Sequence, residues 1–100
     1  MTLGQEDSLD VKLKMEGNKV LEFSLNYRAK IAGHFHEVYR VDTAHGFLHE
    51  QRHWISPEPI PLHVCQEDLN LAVTFFTLQI KQNYERYKQY FLNKRRFDEV

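Results

Sequence analysis

Residues 10–28 read DVKLKMEGNKVLEFSLNYR, and this stretch decides the fold. Val11, Leu13 and Met15 alternate with Asp10, Lys12, Lys14 and Glu16 until Gly17-Asn18 interrupts. The alternation then resumes, with Leu21, Phe23, Leu25 and Tyr27 on one side and Glu22, Ser24, Asn26 and Arg28 on the other. A period of two belongs to strands with one buried face. A Gly-Asn pair readily takes the positive φ of a tight turn. The spacing therefore predicts an antiparallel hairpin, with strands over 10–16 and 19–30. Residues 1–8 carry no such pattern and read as a flexible tail.

Gly33 marks the next break. Residues 34–41 and 47–55 read as two more strands around Asp42-Thr43-Ala44-His45-Gly46. Placing Asp42 opposite Phe47 sets Phe35 against Trp54, Glu37 against Arg52, Tyr39 against Glu50 and Val41 against Leu48, all favourable or neutral pairs. The other face then carries His36 opposite His53, Val38 opposite Gln51 and Arg40 opposite His49. Pro57, Pro59 and Pro61 lack amide donors and read as an extended linker.

A helix is predicted over 66–95, opening on Gln66-Glu67-Asp68, whose carboxylates suit a helix N-terminus. Leu69, Ala72, Val73, Phe76, Ile80, Tyr84, Tyr87 and Phe91 recur at helical spacing as one apolar stripe. Such a helix is roughly 45 Å long, more than four short strands cover, so its far end is expected to project or to pack on another chain. Leu71, Phe75 and Leu78 widen the apolar arc and predict a second contact surface, for a homo-oligomer or a partner protein. The expected architecture is α+β: a four-stranded antiparallel sheet of two hairpins packed on one long C-terminal helix, a single domain over 9–100.

Length and composition agree with that plan. A chain of 100 residues fits one domain. A net charge of -1 excludes a chain that binds nucleic acid by overall charge. Cys65 is the only cysteine, which rules out an internal disulfide and suits a reducing compartment. No secretory leader and no membrane span is legible, so a cytoplasmic address is expected.

Histidine density is the unusual feature. His34, His36, His45, His49 and His53 crowd into twenty residues, with His63 after them. Imidazole titrates near neutral pH and serves as acid, base or metal ligand. On the expected register His36, His49, His53 and Arg40 share a face, with Asp42 and His45 at the adjoining turn. Two imidazoles and a guanidinium suit cleavage of RNA at a ribose 2′-hydroxyl: one takes the proton, one protonates the leaving oxygen, and Arg40 stabilises the phosphorane. That metal-independent ribonuclease reading needs no cofactor. Surface or inter-subunit histidines without catalysis are the competing reading. A third is zinc: were 42–55 helical, His45, His49 and His53 would share a face, and His49-Glu50-Gln51-Arg52-His53 matches H-E-x-x-H letter for letter.

The helix offers a second feature. Lys81, Arg86, Lys88, Lys94, Arg95 and Arg96 interleave with Tyr84, Tyr87, Tyr90 and Phe91. Lys81, Arg86, Lys88 and Arg95 are candidates for RNA phosphate contacts, with the rings stacking on bases. The plainer reading is cations complementing the helix dipole. Cys65, with His63 nearby, reads as a neighbour of the helix cap rather than a nucleophile.

The run Tyr39-Arg40-Val41-Asp42-Thr43-Ala44-His45-Gly46, with His49 and His53 after it, resembles the TumE-type toxins of toxin–antitoxin systems and related small prokaryotic proteins. The resemblance covers residues 11–55: a hairpin, an Arg-Tyr-Asp-Asn-Ala-like turn, then clustered histidines. Thr43 stands where Asn is expected, the histidines are spaced differently, and the long helix lies outside the match. The resemblance implies a toxin bound by an antitoxin protein, with Arg40, Asp42, His45 and His49 as the matching residues.

Overall fold

The computed structural model describes residues 1–63 and 67–98. Among the described residues six strands follow in order: β1 (Thr2–Gly4), β2 (Asp7–Glu16), β3 (Lys19–Ile31), β4 (His34–Asp42), β5 (His49–Arg52) and β6 (Ile60–Pro61). A single 3₁₀ turn, Ala44–Gly46, separates β4 from β5, and the helix α1 spans Leu69–Asp98. The strands form one antiparallel meander in chain order, β1 to β6. The α+β class is as expected, but the sheet has six strands and not four.

Both extra strands are short edges, too brief for a periodic pattern to reveal. Within the expected tail, Thr2 lies opposite Ser8, and the Leu9 amide donates to the Met1 carbonyl at 2.7 Å. Within the expected proline linker, Ile60 lies opposite Glu50 and Pro61 opposite His49. Proline is tolerated there because an edge strand has a side that needs no donor. The strand expected over 47–55 shrinks to His49–Arg52. His53, Trp54 and Ile55 leave the ladder in a turn closed by the Ile55 amide on the Arg52 carbonyl at 2.9 Å. The helix begins at Leu69; Gln66, like Cys65, lies outside the described residues.

The hairpin at Gly17-Asn18 forms as expected, with Glu16 opposite Lys19 and Gly17 at φ 58°. The next turn is tighter chemistry: Ala32 and Gly33 both hold positive φ, 53° and 84°, between Ile31 and its partner His34. That is the geometry of a two-residue turn matched to strand twist.

The core lies between β3, β4 and α1. Phe23, Leu25, Tyr27 and Ala29 from β3 and Tyr39 and Val41 from β4 are buried with Ala72, Phe76 and Ile80 of the helix. The helix runs parallel to β3. At its start the Asn70 side chain accepts from the Val20 amide and donates to the Asn18 carbonyl. Midway, Tyr84 meets Tyr27 edge-on at 5.9 Å. Near its end Arg95 reaches His36. The projecting end expected from sequence is therefore corrected: β3 has 13 residues, which at about 3.3 Å each gives roughly 43 Å, nearly the length of the helix.

Two registers position the site. Between β3 and β4 Tyr27 pairs Tyr39 but Arg28 pairs Glu37, so Val38 is an extra bulged residue. Between β4 and β5, Asp42 lies opposite His49 and Val41 opposite Glu50, two residues from the expected pairing. The connection spends six residues, 43–48, where the expected register allowed four. A two-residue shift keeps every side chain on its expected face, whereas a bulge does not. Among the described residues no helix is long and apolar enough to cross a membrane.

Candidate functional site

The face of the sheet turned away from α1 carries the polar residues of β2, β3 and β4. Asp42 ends β4 there and is almost completely buried, as is His49 across from it. The pairing of β4 with β5 brings His49 Nε2 to 2.7 Å from Asp42 Oδ1. Arg40, two residues back on the same face, donates from Nε to Asp42 Oδ2 at 2.5 Å. The Ala44 amide of the 3₁₀ turn donates to Oδ1 at 3.1 Å. Thr43 anchors the same turn to β3 through its amide on the Phe23 carbonyl and the Phe23 amide on its hydroxyl. Phe47 covers His49, ring centres 5.2 Å apart, and its carbonyl lies 3.2 Å from His49 Nδ1. Both ring nitrogens of His49 therefore face acceptors inside the protein, and neither is offered to a substrate.

The network continues toward β5. Arg40 Nη1 lies 3.5 Å from Glu37, whose other oxygen lies 3.5 Å from His53 Nε2. Burial works against the charge on Arg40, but the Asp42 and Glu37 carboxylates outweigh it and hold the guanidinium above its ordinary value. Arg40 is also the member of the Arg40–Asp42–His49 group that meets solvent, with about a third of its side chain exposed.

His36 does not join this group. The Val38 bulge turns His36 onto the helix face, where it packs against Phe91 at 6.1 Å and accepts from Arg95 Nη1 at 3.1 Å. Burial, then the charge of Arg95 and the neighbouring His34, push the His36 imidazole below its ordinary value. This corrects the shared face expected for His36, His49, His53 and Arg40. His45 belongs to the 3₁₀ turn, and its side chain lies outside the described residues. The H-E-x-x-H spacing falls on strand β5 and the turn after it, so no helical face unites His45, His49 and His53. Among the described residues no three His, Cys, Asp or Glu side chains gather as a metal site.

The basic residues of α1 are also divided. Lys88 lies 3.7 Å from Asp7 and 4.0 Å from Glu6, and Arg95 is spent on His36 and the Phe91 ring. Lys81 and Arg86 are exposed. Of the rings expected to stack on bases, Tyr87 packs against Tyr39 and Trp54 at 5.0 and 5.1 Å. The Tyr84 hydroxyl donates to the Leu3 carbonyl.

What the sequence did not reveal is a cleft of about 280 Å³ beside Arg40, walled by Lys12, Lys14, Glu22, Ser24 and Thr43. Ser24 pairs with Lys12 on one side and with Asp42 on the other, which carries the floor of the cleft across three strands. Strand alternation placed Lys12 and Lys14 on the polar face, but only the β3–β4 register brings them beside Arg40.

No curated protein and no solved structure matches the chain. Residues 1–97 match the family described as Domain of unknown function (DUF7718), and the chain belongs to that family.

Proposed function

We propose that the protein is a non-catalytic protein-interaction module, and that the cleft beside Arg40 seats a carboxylate from an acidic segment of its partner. The observation that carries this is the state of His49. With Asp42 on one ring nitrogen and the Phe47 carbonyl on the other, the imidazole acts as a strut between β4, β5 and the turn. Of the imidazoles expected to share acid–base work with it, His36 stands on the opposite face and His53 turns its Nε2 to Glu37. Arg40 is left as a fixed, partly exposed guanidinium at the mouth of a cleft that Lys12 and Lys14 also line. A guanidinium held on one side by carboxylate presents its remaining donors in a preset plane, which suits recognition of another carboxylate. A cognate protein of the antitoxin kind falls within this reading.

The open face also carries Asp10, Glu22 and Glu37 among its cations, so it lacks the continuous basic surface that a polyanion requires. The three cations at the cleft nonetheless fit a phosphate, which favours an RNA-acting toxin as the second reading. Fluorescence anisotropy with a labelled oligoglutamate peptide and a labelled single-stranded RNA separates the two. Peptide binding that weakens about tenfold in Lys12→Gln/Lys14→Gln and in Arg40→Gln, with the RNA left intact, is the expected result. RNA cleaved by the wild type and spared by His49→Gln would replace the module with a ribonuclease.

A further inference from the structure

The outward face of α1 has no function in the fold. Leu71, Phe75 and Leu78 stand 54%, 41% and 52% exposed on it, opposite the buried Ala72, Phe76 and Ile80. Residues 69–80 contain no charged side chain at all. A solvent-facing helix surface ordinarily carries charge, so an uncharged stripe of large apolar residues over about two turns marks a contact surface.

We infer that this stripe pairs with the same stripe on a second copy of the chain, the two helices running antiparallel about a two-fold axis near Phe75. The charges that bound the stripe select this occupant. Glu67, in the turn just before the helix, precedes it and Lys81 follows it, and both are exposed. Neither has an ion-pair partner among the described residues; the adjacent Asp68 is already used, accepting the Leu71 amide at 3.0 Å. In an antiparallel pair with Leu71 level with Leu78, Glu67 of each copy comes level with Lys81 of the other. A parallel pair would instead oppose Glu67 to Glu67 and Lys81 to Lys81, which is repulsive. The two-fold makes the patch self-complementary, as a closed dimer requires. Phe75 also borders a hollow of about 280 Å³ between the helix and β5, lined by Leu62, Gln79 and Tyr87, which gives the partner helix a flank to enter. The stripe is narrow, so the dimer is a weak one, dissociating in the micromolar range at an order-of-magnitude level.

Sedimentation equilibrium on the whole chain, from low micromolar to about 1 mM, tests the pairing. The expected result is a monomer–dimer equilibrium that Leu78→Asp shifts about a hundredfold toward monomer. Glu67→Lys and Lys81→Glu each weaken the dimer about threefold to tenfold, more at low salt, and the two together restore it. Circular dichroism on each variant confirms the fold, which these exposed sites leave intact. A monomer at every concentration, a dimer indifferent to Leu78→Asp, or a double reversal that fails to restore association would each overturn the inference.

Discussion

Replacing Asp42 by Ala removes the acceptor for three donors: His49 Nε2, Arg40 Nε and the Ala44 amide. Asp42 is 3% exposed and His49 4%, so the His49 side of the site holds little water to replace the lost carboxylate. The substitution therefore leaves a buried imidazole without its acceptor and a partly buried guanidinium with one of its two carboxylates removed. Breaking a buried pair from one side costs about 3–5 kcal/mol, and the exposed part of Arg40, which water can solvate, argues for the lower end. The expected loss is about 3 kcal/mol, a large share of the roughly 5–15 kcal/mol of a typical domain. Urea denaturation followed by the fluorescence of Trp54, the sole tryptophan, reads it directly, since its ring stacks on Tyr39 and Tyr87 in the folded state. A cycle with His49→Ala should give a coupling of about 1–3 kcal/mol, because each single variant already strands the other partner. Single losses below about 1 kcal/mol with an unchanged denaturant slope would refute the reasoning, since they would mean that the site is as wet as an ordinary surface pair.

Ala32→Asn should stabilise the chain by about 0.5–1 kcal/mol, because Ala32 sits at φ 53° and Asn-Gly is the pair that such a turn favours; a shift in urea midpoint measures it. His36 has a lowered value in the folded state, so the unfolded chain binds its proton more readily. Its contribution is present above the ordinary value near 6.5 and is lost as pH falls below it. Wild type should accordingly lose more stability between pH 7.5 and pH 5 than His36→Phe, which keeps the Phe91 contact but cannot titrate. Tyr39→Phe deletes a buried 2.6 Å hydrogen bond to Glu50 and should cost about 1.5–3 kcal/mol, the range for a bond to a charged group. Burial, and then that hydrogen bond, push the Tyr39 phenol far above its ordinary value, so alkaline absorbance titration should show it ionising only as the protein unfolds.

The parts of this fold legible in sequence were those with a repeating signal. Alternation over 10–16 and 19–30 defined the first hairpin, which the structure extends to Asp7–Glu16 and Lys19–Ile31, and an apolar stripe at helical spacing defined α1. The edge strands β1 and β6 are three and two residues long, below any period, and are held by pairing alone. The site was half legible. Arg40, Asp42 and His49 were among the six residues expected at the site, and alternation puts them on one face under either register. Their contact is a matter of offset: the loop 43–48 is longer than a minimal hairpin needs, and side-chain pairing chemistry alone could not choose between registers two residues apart. His36 was misplaced for a different reason. A bulge at Val38 leaves no mark in composition, since valine suits a strand whether paired or not, yet it reverses the facing of every residue before it on β4.

The order of elements along the chain bears on how it is synthesised. The face of β3 that becomes the core is covered by Ala72, Phe76 and Ile80, some fifty residues further on. At roughly 5–20 residues per second, a ribosome completes the meander seconds before it releases the helix that shields it. Throughout that interval Phe23, Leu25 and Tyr27 face outward on a growing nascent sheet, a surface open to chaperones or to a neighbouring nascent chain. Folding to the native state is thus a late event, gated by the emergence of α1, and translation arrested before Leu69 would yield an aggregation-prone product rather than a smaller stable one.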